Sequence, residues 1–238
     1  MTAMSARERM LGRLRAAVPT SGSDLATGTA ALNHRIDLHF DSRRGEQPSV
    51  AEMVASMQAA LSASHAEVVA TDAAAWPAWV ANRLAGEGAR RLLLDTGRPE
   101  GSALAQALPA GIAAIGFDRP IEAWKAELFD TVDAGFTVAR SGLAATGTLV
   151  LAPDAGSPRT MSLVPPIHIA LVYASTLHPD LHSAVRAERW TDGMPTNLVM
   201  VSGPSKTSDI QQTLAYGAHG PRQLWVVIVN DHTGDSAQ

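Results

Sequence analysis

The sequence from residue 48 onwards alternates segments of helical spacing with short, continuous apolar runs. Between residues 48 and 62, for example, Val50, Val54 and Leu61 recur at intervals that place them on one face of a helix. Continuous apolar runs are typical of strands buried on both faces, and the helices between them supply the crossovers that parallel strands need. The pattern therefore predicts an α/β fold of three αβα layers around a mostly parallel sheet.

The predicted elements fill most of this part of the chain. The predicted helices are 48–62, 73–85, 101–108, 121–128, 178–189 and 208–216. The predicted strands are 67–70, 91–94, 111–116, 136–139, 147–152, 167–173, 198–202 and 223–230. We expect them to form one domain over residues 47–231.

The first 46 residues predict a separate N-terminal helical appendage. A helix is expected over residues 4–17, and it stops before Pro19 because proline does not continue a helix. Small and polar residues follow, so we expect a flexible linker up to residue 46, with poor order between Pro19 and Gly45. The polar tail at 232–238 is expected to fray.

Charge and cysteine usage exclude several classes of function. The chain has 23 acidic and 19 basic residues, a net charge of −4, which argues against a broad nucleic-acid-binding surface. It has no cysteine, so disulfides, a cysteine nucleophile and a cysteine-ligated iron–sulfur cluster are excluded. No apolar run approaches the roughly 20 residues of a membrane span, and the N-terminus does not resemble a secretory signal. We therefore expect a cytoplasmic protein without a membrane span.

The strongest site-like signal follows the predicted strand 198–202. A polar loop leads into a helix predicted to begin at Ser208, because Ser208 with Gln211 three residues later is a capping-box pattern. The unpaired N–H groups of a helix start attract anions, and the loop adds hydroxyls and a cation. The candidate ligand-binding residues here are Ser202, Gly203, Ser205, Lys206, Thr207 and Asp209. The alternative is a well-capped helix with Lys206 in solvent.

Further candidates lie upstream and downstream of this loop. In Thr146-Gly147-Thr148, the glycine allows close approach of a ligand and the hydroxyls orient it; the alternative is a tight turn. Arg159 can clamp an anion or remain solvated. His168 in an apolar strand is either a core histidine or a base, and His219 either caps a helix end or lines a pocket.

Several common catalytic motifs are absent from the sequence. It has no dinucleotide-binding glycine fingerprint, no phosphate-binding Walker loop, no nucleophile elbow and no zinc-protease motif. The spacing of His178 and His182 suits metal ligands, but no third ligand is evident nearby, so we predict no metal site.

Taken in chain order, five short motifs resemble those of the LUD-domain family. They are Thr146-Gly147-Thr148, Ser157-Pro158-Arg159, Pro165-Pro166-Ile167-His168, the segment 202–210 and His219-Gly220-Pro221-Arg222. The resemblance is sharpest over residues 140–230. It implies an αβα fold similar to the NagB/RpiA/CoA-transferase group. It also implies a role in oxidising L-lactate to pyruvate with partner proteins that carry iron–sulfur clusters, this chain binding no cofactor itself.

The chain departs from the family pattern at two positions. Ala145 stands where members often have a glutamate, and this lowers the expectation of a carboxylate nucleophile. Lys206 stands where arginine is common. Whether the chain is itself an enzyme therefore stays open. The expected function is a lactate-utilisation component that binds a small carboxylate or phosphorylated ligand. The alternatives are a stand-alone CoA-transferase-like or sugar-phosphate enzyme, and a non-catalytic scaffold.

Overall fold

The computed structural model describes residues 6–17, 22–43, 45–208 and 214–231. The contacts divide the chain into two units, residues 1–47 and residues 48–238. The described residues of the first unit form two helices, α1 (Ala6–Ala17) and α2 (Gly22–Asp41).

Helix α2 corrects the prediction of a flexible linker before residue 46. Its second half carries Leu32, Ile36 and Phe40 at intervals of four residues, which is helical spacing. The linker was predicted from its small and polar residues, among them Gly28. One glycine costs a helix only about 1 kcal/mol relative to alanine, so such a residue does not exclude a helix of 20 residues.

The second unit begins with alternating helices and strands. These are α3 (Val50–Ala63), β1 (Glu67–Asp72), α4 (Trp76–Gly86), β2 (Arg91–Leu93), α5 (Pro99–Ala107), β3 (Ala113–Ile115), α6 (Lys125–Thr131) and β4 (Ala134–Val138). A 3-10 turn, Ile121–Ala123, precedes α6. The unit continues with β5 (Ser141–Leu143), β6 (Thr148–Leu151), α7 (Arg159–Leu163), β7 (Ile167–Tyr173), β8 (Leu177–His178), α8 (Leu181–Ala187), α9 (Trp190–Gly193), β9 (Val199–Val201), β10 (Lys206–Ser208), β11 (Leu214–Tyr216) and β12 (Gln223–Asn230). Two more 3-10 turns are Ala144–Thr146 and Ala174–Thr176.

Six strands form a central parallel sheet in the order β1-β12-β7-β4-β2-β3. Alternate residues of β12 point to opposite faces: Trp225 belongs to a core with α4 and α5, and Val226 belongs to a core with α3. Because both faces are covered by helices, the central strands are mostly apolar, and Thr137 of β4 and His168 of β7 are buried polar exceptions. The predicted three-layer αβα class is confirmed.

A short antiparallel hairpin replaces the helix predicted at 208–216. Strand β10 pairs with β11, with Lys206 opposite Tyr216. The hairpin is tied to the segment before β12, because the Ser205 amide donates to the Pro221 carbonyl (2.8 Å) and the Gly217 amide donates to the Ser205 carbonyl (2.9 Å). The capping-box pattern is a local preference, and these tertiary hydrogen bonds outweigh it.

The smaller mixed sheet, in the order β8-β5-β6-β9, is supported by Glu188 at the end of α8. Its carboxylate accepts a hydrogen bond from Trp190 Nε1 (2.9 Å), pairs with Arg140, and lies 3.4 Å from His178 Nε2. Burial raises the pKa of Glu188, but the nearby Ser141 hydroxyl and the hydrogen bonds from Trp190 and Arg140 outweigh burial and hold the pKa below its ordinary value of 4.5.

Glu188→Gln is expected to lower the free energy of unfolding by about 2 kcal/mol at pH 7, because hydrogen bonds to a buried charge are lost. A carboxylate whose folded pKa is depressed stabilises the protein above its unfolded pKa and loses that stabilisation as the pH falls through the folded value. The difference from wild type should therefore narrow below about pH 4.5. Urea unfolding across pH 3–7 measures this difference in the free energy of unfolding. The control is Glu67→Gln, which removes the charge from a more exposed ion pair with Arg83. Equal losses of unfolding free energy in both variants would contradict the stabilising role of the Glu188 carboxylate.

Candidate functional site

The carboxyl ends of β2 and β4 border a cleft. From β2 the chain leads through α5 to β3, on one side of this pair of strands. From β4 it leads on to β7, which lies on the other side. Chain connections that diverge from neighbouring parallel strands leave a crevice at their carboxyl ends, where open α/β sheets bind ligands. The topology therefore predicts a ligand site at this edge of the sheet.

The cleft is small, polar and partly enclosed. Its lining residues come from the segment after β2 (Asp95, Arg98, Gly101), from β4 (Phe136, Thr137, Val138) and from the segment after β6 (Ala152, Ser157). The enclosed part measures about 20 Å³, room for one water molecule, and the cleft with its open mouth measures about 340 Å³. The larger volume includes open solvent, so the cleft in this structure is much smaller than an ordinary ligand pocket.

Three charged side chains stand at the mouth of the cleft. Arg98 pairs with Asp154, and its Nε lies 3.3 Å from Asp95 Oδ2. Asp154 also accepts hydrogen bonds from the amides of Ser157 (2.8 Å) and Gly156 (3.0 Å). The Ser157 amide and Arg98 hold the pKa of Asp154 below its ordinary value despite partial burial. A Cβ at Gly156 would lie 2.4 Å from Asp95 Oδ2, so glycine lets the two loops approach.

A buried histidine lies behind one wall of the cleft. Nε2 of His168, on β7, lies 2.8 Å from Oγ1 of Thr137, on β4. His168 is 1% exposed, and burial lowers the pKa of its imidazole to about 4. At neutral pH the ring is therefore uncharged, with one nitrogen as donor and the other as acceptor.

The arrangement suits a small ligand that carries one carboxylate and one further polar oxygen. The Arg98 guanidinium is the cation at the mouth, and it can receive a carboxylate in a two-pronged hydrogen bond. The Thr137 hydroxyl offers a neutral partner deeper in the cleft. With two aspartates around one arginine the mouth has a net charge of −1, so a ligand carboxylate has to displace one aspartate from Arg98.

The predicted loops at 146–148 and at 202 meet in space. Thr146 Oγ1 lies 2.7 Å from Thr148 Oγ1, which lies 2.8 Å from Ser202 Oγ. Gly147 has φ +59°, and its Cα faces the end of α3, where a Cβ would come within 2.8 Å of the Leu61 amide nitrogen. These three hydroxyls form a hydrogen-bonded row at the start of β6.

The rest of the predicted anion site is arranged differently from the expectation. Ser208 lies in β10, so no helix begins there to supply unpaired amides. Lys206 is exposed in the same strand, and Thr207 pairs with Ala215 of β11. Gly203 packs against the Ser64 carbonyl, just before β1. Asp209 lies outside the described residues.

The predicted residues belong mainly to the edge of the sheet opposite the cleft. Ser205 bonds to Pro221, and the next residue, Arg222, donates its amide to Pro166 just before β7 begins. These residues therefore lie at the amino ends of β7 and β12, where His219 is also exposed. Arg159 is exposed at the start of α7, two residues after Ser157. His168 is the predicted residue that contacts the cleft lining, through Thr137.

Asp95, Arg98 and Thr137 were missed by the sequence analysis. Asp95 and Arg98 follow the carboxyl end of the predicted strand 91–94, whereas Thr137 lies inside the predicted strand 136–139. Carboxyl ends of parallel strands share one edge, so polar residues at those positions were a usable signal. Within residues 6–17, 22–43, 45–208 and 214–231, no three histidine or acidic side chains group as metal ligands would. No helix in these ranges has the length and apolarity to cross a membrane.

A model of the LUD domain matches residues 54–229 of the chain. The chain belongs to the LUD-domain family. The match covers the α/β unit from α3 to the end of β12, and it confirms the family resemblance seen in the sequence motifs.

Relatives of this LUD-domain protein fall into two groups by coverage. A protein of Neisseria meningitidis serogroup B, described as uncharacterized, is 39% identical over 96% of both chains. Lactate utilization protein C of Shouchella clausii is 34% identical, and that of Halalkalibacterium halodurans is 36% identical. Each of these two matches covers 44% of this chain and 47% of the relative, so the similarity spans about half the length of these relatives.

A solved structure is similar to most of this LUD-domain chain. The crystal structure of a DUF162 family protein from Deinococcus radiodurans superposes with a TM-score of 0.56 at 26% identity. The match covers 77% of this chain and 99% of the other. It agrees with the mostly parallel sheet flanked by helices.

Proposed function

We propose that this protein is a component of a lactate-utilisation system and binds L-lactate, or a similar small carboxylate, in the cleft between β2 and β4. The observation that carries the binding proposal is Arg98, a cation at the mouth of a polar cleft at the carboxyl edge of the sheet. The lactate role is supported by the relatives named lactate utilization protein C. Neither support extends to a reaction step.

A lactate anion fits the cleft if its carboxylate takes the place of Asp154 on Arg98. The enclosed space holds only about one water, so the acid would enter as the Arg98 side chain swings outward. That side chain is 44% exposed, and an exposed ion pair contributes only about 0–1 kcal/mol. The 2-hydroxyl of the acid would then face Thr137.

Electron transfer in such a system would require partner proteins. A cysteine-ligated iron–sulfur cluster cannot be held by a chain without cysteine. We therefore propose iron–sulfur partners and a chain that binds no cofactor of its own. Because Ala145 provides no carboxylate nucleophile, the proposal assigns this chain no covalent catalytic step.

Calorimetric titration of the full chain with L-lactate tests the binding proposal. We expect saturable one-site binding with millimolar or tighter affinity, and no saturation with the amide of lactic acid, which lacks the charge. Affinity purification from cells grown on lactate tests the partners, with visible absorption of the eluate as the sign of iron–sulfur clusters. Absence of lactate binding at about 20 mM, roughly 20 times a dissociation constant of 1 mM, would overturn the binding proposal.

The hydroxyl row of Thr146, Thr148 and Ser202 supports a second candidate, a site for a phosphorylated ligand. Phosphate oxygens accept hydrogen bonds from hydroxyls, and the nearby cation would be Lys206. Such a site favours the alternative of a sugar-phosphate or CoA-thioester enzyme acting alone. A scaffold role would leave both sites without a ligand.

Lys206→Ala is expected to weaken phosphate binding about tenfold if that second site exists, because a charge-assisted hydrogen bond is lost. Lys125→Ala is the matched control, since Lys125 and Lys206 are the two lysines of the chain. Calorimetry with inorganic phosphate and with CoA measures the effect. Equal affinities of both variants and wild type would remove Lys206 from any anion site.

A further inference from the structure

We propose that Thr137 and His168 together recognise the oxygen on C2 of the bound acid, so that the cleft prefers a 2-hydroxy acid to the same acid without the hydroxyl. This inference rests on the proposed function, because it assumes that Arg98 holds the carboxylate. It assigns contact with the ligand to Thr137. His168 acts through Thr137 and is a positioning residue.

The pair is held by the register of two central strands. Gly135 of β4 is directly opposite His168 of β7, and Thr137 is two residues further along β4. Residues two apart on a strand face the same side of the sheet, so Thr137 and the imidazole are diagonal neighbours on one face. A Cβ at Gly135 would lie 2.1 Å from the Met161 carbonyl of α7, so this face has no room for a larger side chain beside the histidine.

The Thr137 hydroxyl is in turn fixed by its surroundings. Thr137 is 6% exposed, and its Oγ1 lies 2.8 Å from Nε2 of the fully buried His168. One of the hydroxyl's two roles, donor or acceptor, is taken by that ring nitrogen. Thr137 also lines the cleft, so we take the remaining capacity of its hydroxyl to be the part that a ligand meets.

The other polar groups of the cleft are already engaged. Asp95 accepts from the Gly97 amide (2.9 Å) and pairs with Arg98. The Ser157 hydroxyl points to Met161 Sδ at 3.5 Å. Thr137 is therefore the hydroxyl best placed to bond an oxygen next to the carboxylate of the ligand. A ligand without that oxygen would leave it unpaired in a desolvated site, which costs affinity.

The charge state of His168 suits this role. Because burial holds the pKa of the imidazole at about 4, the ring stays neutral through the physiological range. The preference for the hydroxy acid should therefore be constant between pH 6 and 8. A neutral ring does not compete with Arg98 for the carboxylate.

The test compares L-lactate with propionate, which has the same carbon chain and charge but no 2-hydroxyl. Calorimetry at pH 7 gives the ratio of the two affinities for the full-length wild type and for Thr137→Val, His168→Leu and His168→Gln. We expect wild type to prefer lactate about tenfold, corresponding to about one net hydrogen bond. Thr137→Val should bring the ratio close to one, because lactate loses its hydrogen bond and propionate no longer leaves a hydroxyl unpaired.

The histidine variants separate positioning from packing. His168→Leu should reduce the ratio by at least threefold, and His168→Gln should restore most of it, because a glutamine amide reaches the same hydrogen bond to Thr137. Were His168→Leu to fail to fold, the Thr137→Val and His168→Gln ratios would still decide the matter.

Different results would overturn different claims. Equal losses of lactate and propionate affinity, or unchanged ratios in every variant, would overturn the recognition role and leave lactate binding in place. A ratio lost in Thr137→Val but kept in His168→Leu would overturn the positioning role of His168. Failure of wild type to bind either acid would instead overturn the proposed function on which the inference rests.

Discussion

Gly101→Ala is expected to lower the free energy of unfolding by roughly 3 kcal/mol, the upper part of the usual range for overpacking. A Cβ at this position of α5 would lie 2.0 Å from the Asp95 carbonyl oxygen and 2.7 Å from its carbon. These are backbone atoms, so no side-chain rotation relieves the overlap. The segment after β2 or the helix itself has to move by more than 1 Å, and both border the cleft.

Thermal and urea unfolding measure the effect of Gly101→Ala. For a unit of this size we expect a fall in Tm of roughly 6–12 °C. Gly86→Ala is the matched control, because Gly86 also lies in a helix but has open space around its Cα. Alanine is the better helix former there, so this control should be neutral or slightly stabilising. Equal stability of Gly101→Ala and wild type would show that α5 does not contact the Asp95 segment so closely.

Arg98→Gln is expected to weaken L-lactate binding by about 10- to 100-fold. The variant keeps hydrogen-bonding groups but loses the charge, and a hydrogen bond to a charged group contributes about 1.5–3 kcal/mol. The titration described for wild type measures this change in affinity. Stability should change little, because the Arg98 ion pairs lie at the open mouth of the cleft.

Asp154→Asn is expected to change lactate affinity in the opposite direction. In the unliganded protein, Asp154 occupies the guanidinium that the ligand would need. Asparagine keeps the carbonyl oxygen that accepts from the Ser157 and Gly156 amides, but it removes the competing charge. Affinity should rise about two- to fivefold, the equivalent of about 0.5–1 kcal/mol for an exposed ion pair. Weaker binding by Asp154→Asn would contradict the competition between Asp154 and the ligand for Arg98, and unchanged binding by Arg98→Gln would overturn the role of Arg98 as carboxylate clamp.

Much of the αβα core could be predicted because burial imposes a repeating pattern on the sequence. The strands at 167–173 and 223–230 were predicted with the bounds that the structure has. Both are central and covered on either face, so most of their residues are apolar, and this pattern is readable along a single segment. The family resemblance likewise came from local motifs.

The two largest errors in the predicted secondary structure are at α2 and at the β10–β11 hairpin. In both segments a clear local pattern predicted one structure, and a weaker periodicity or a distant contact determined another. Polar and small residues favoured a linker where α2 lies, and a capping-box pattern favoured a helix where β10 and β11 pair. The hairpin is held by hydrogen bonds between Ser205 and residues 12 and 16 positions further along the chain, Gly217 and Pro221. Such bonds leave no periodic signal near Ser208.

The amino-acid sequence by itself determined the layer architecture, the family and the chemical character of the loops, because hydrophobic periodicity and residue type act within a few neighbouring positions. Only the tertiary structure decided which polar groups meet. It joined Thr148 to Ser202, and it placed Arg98 beside Asp154 and Thr137 beside His168 at the other edge of the sheet. The order of the strands, parallel in the central sheet and antiparallel between β6 and β9, brings these partners together from positions 31 to 56 residues apart. Strand order depends on how the whole chain packs, and no short segment encodes it.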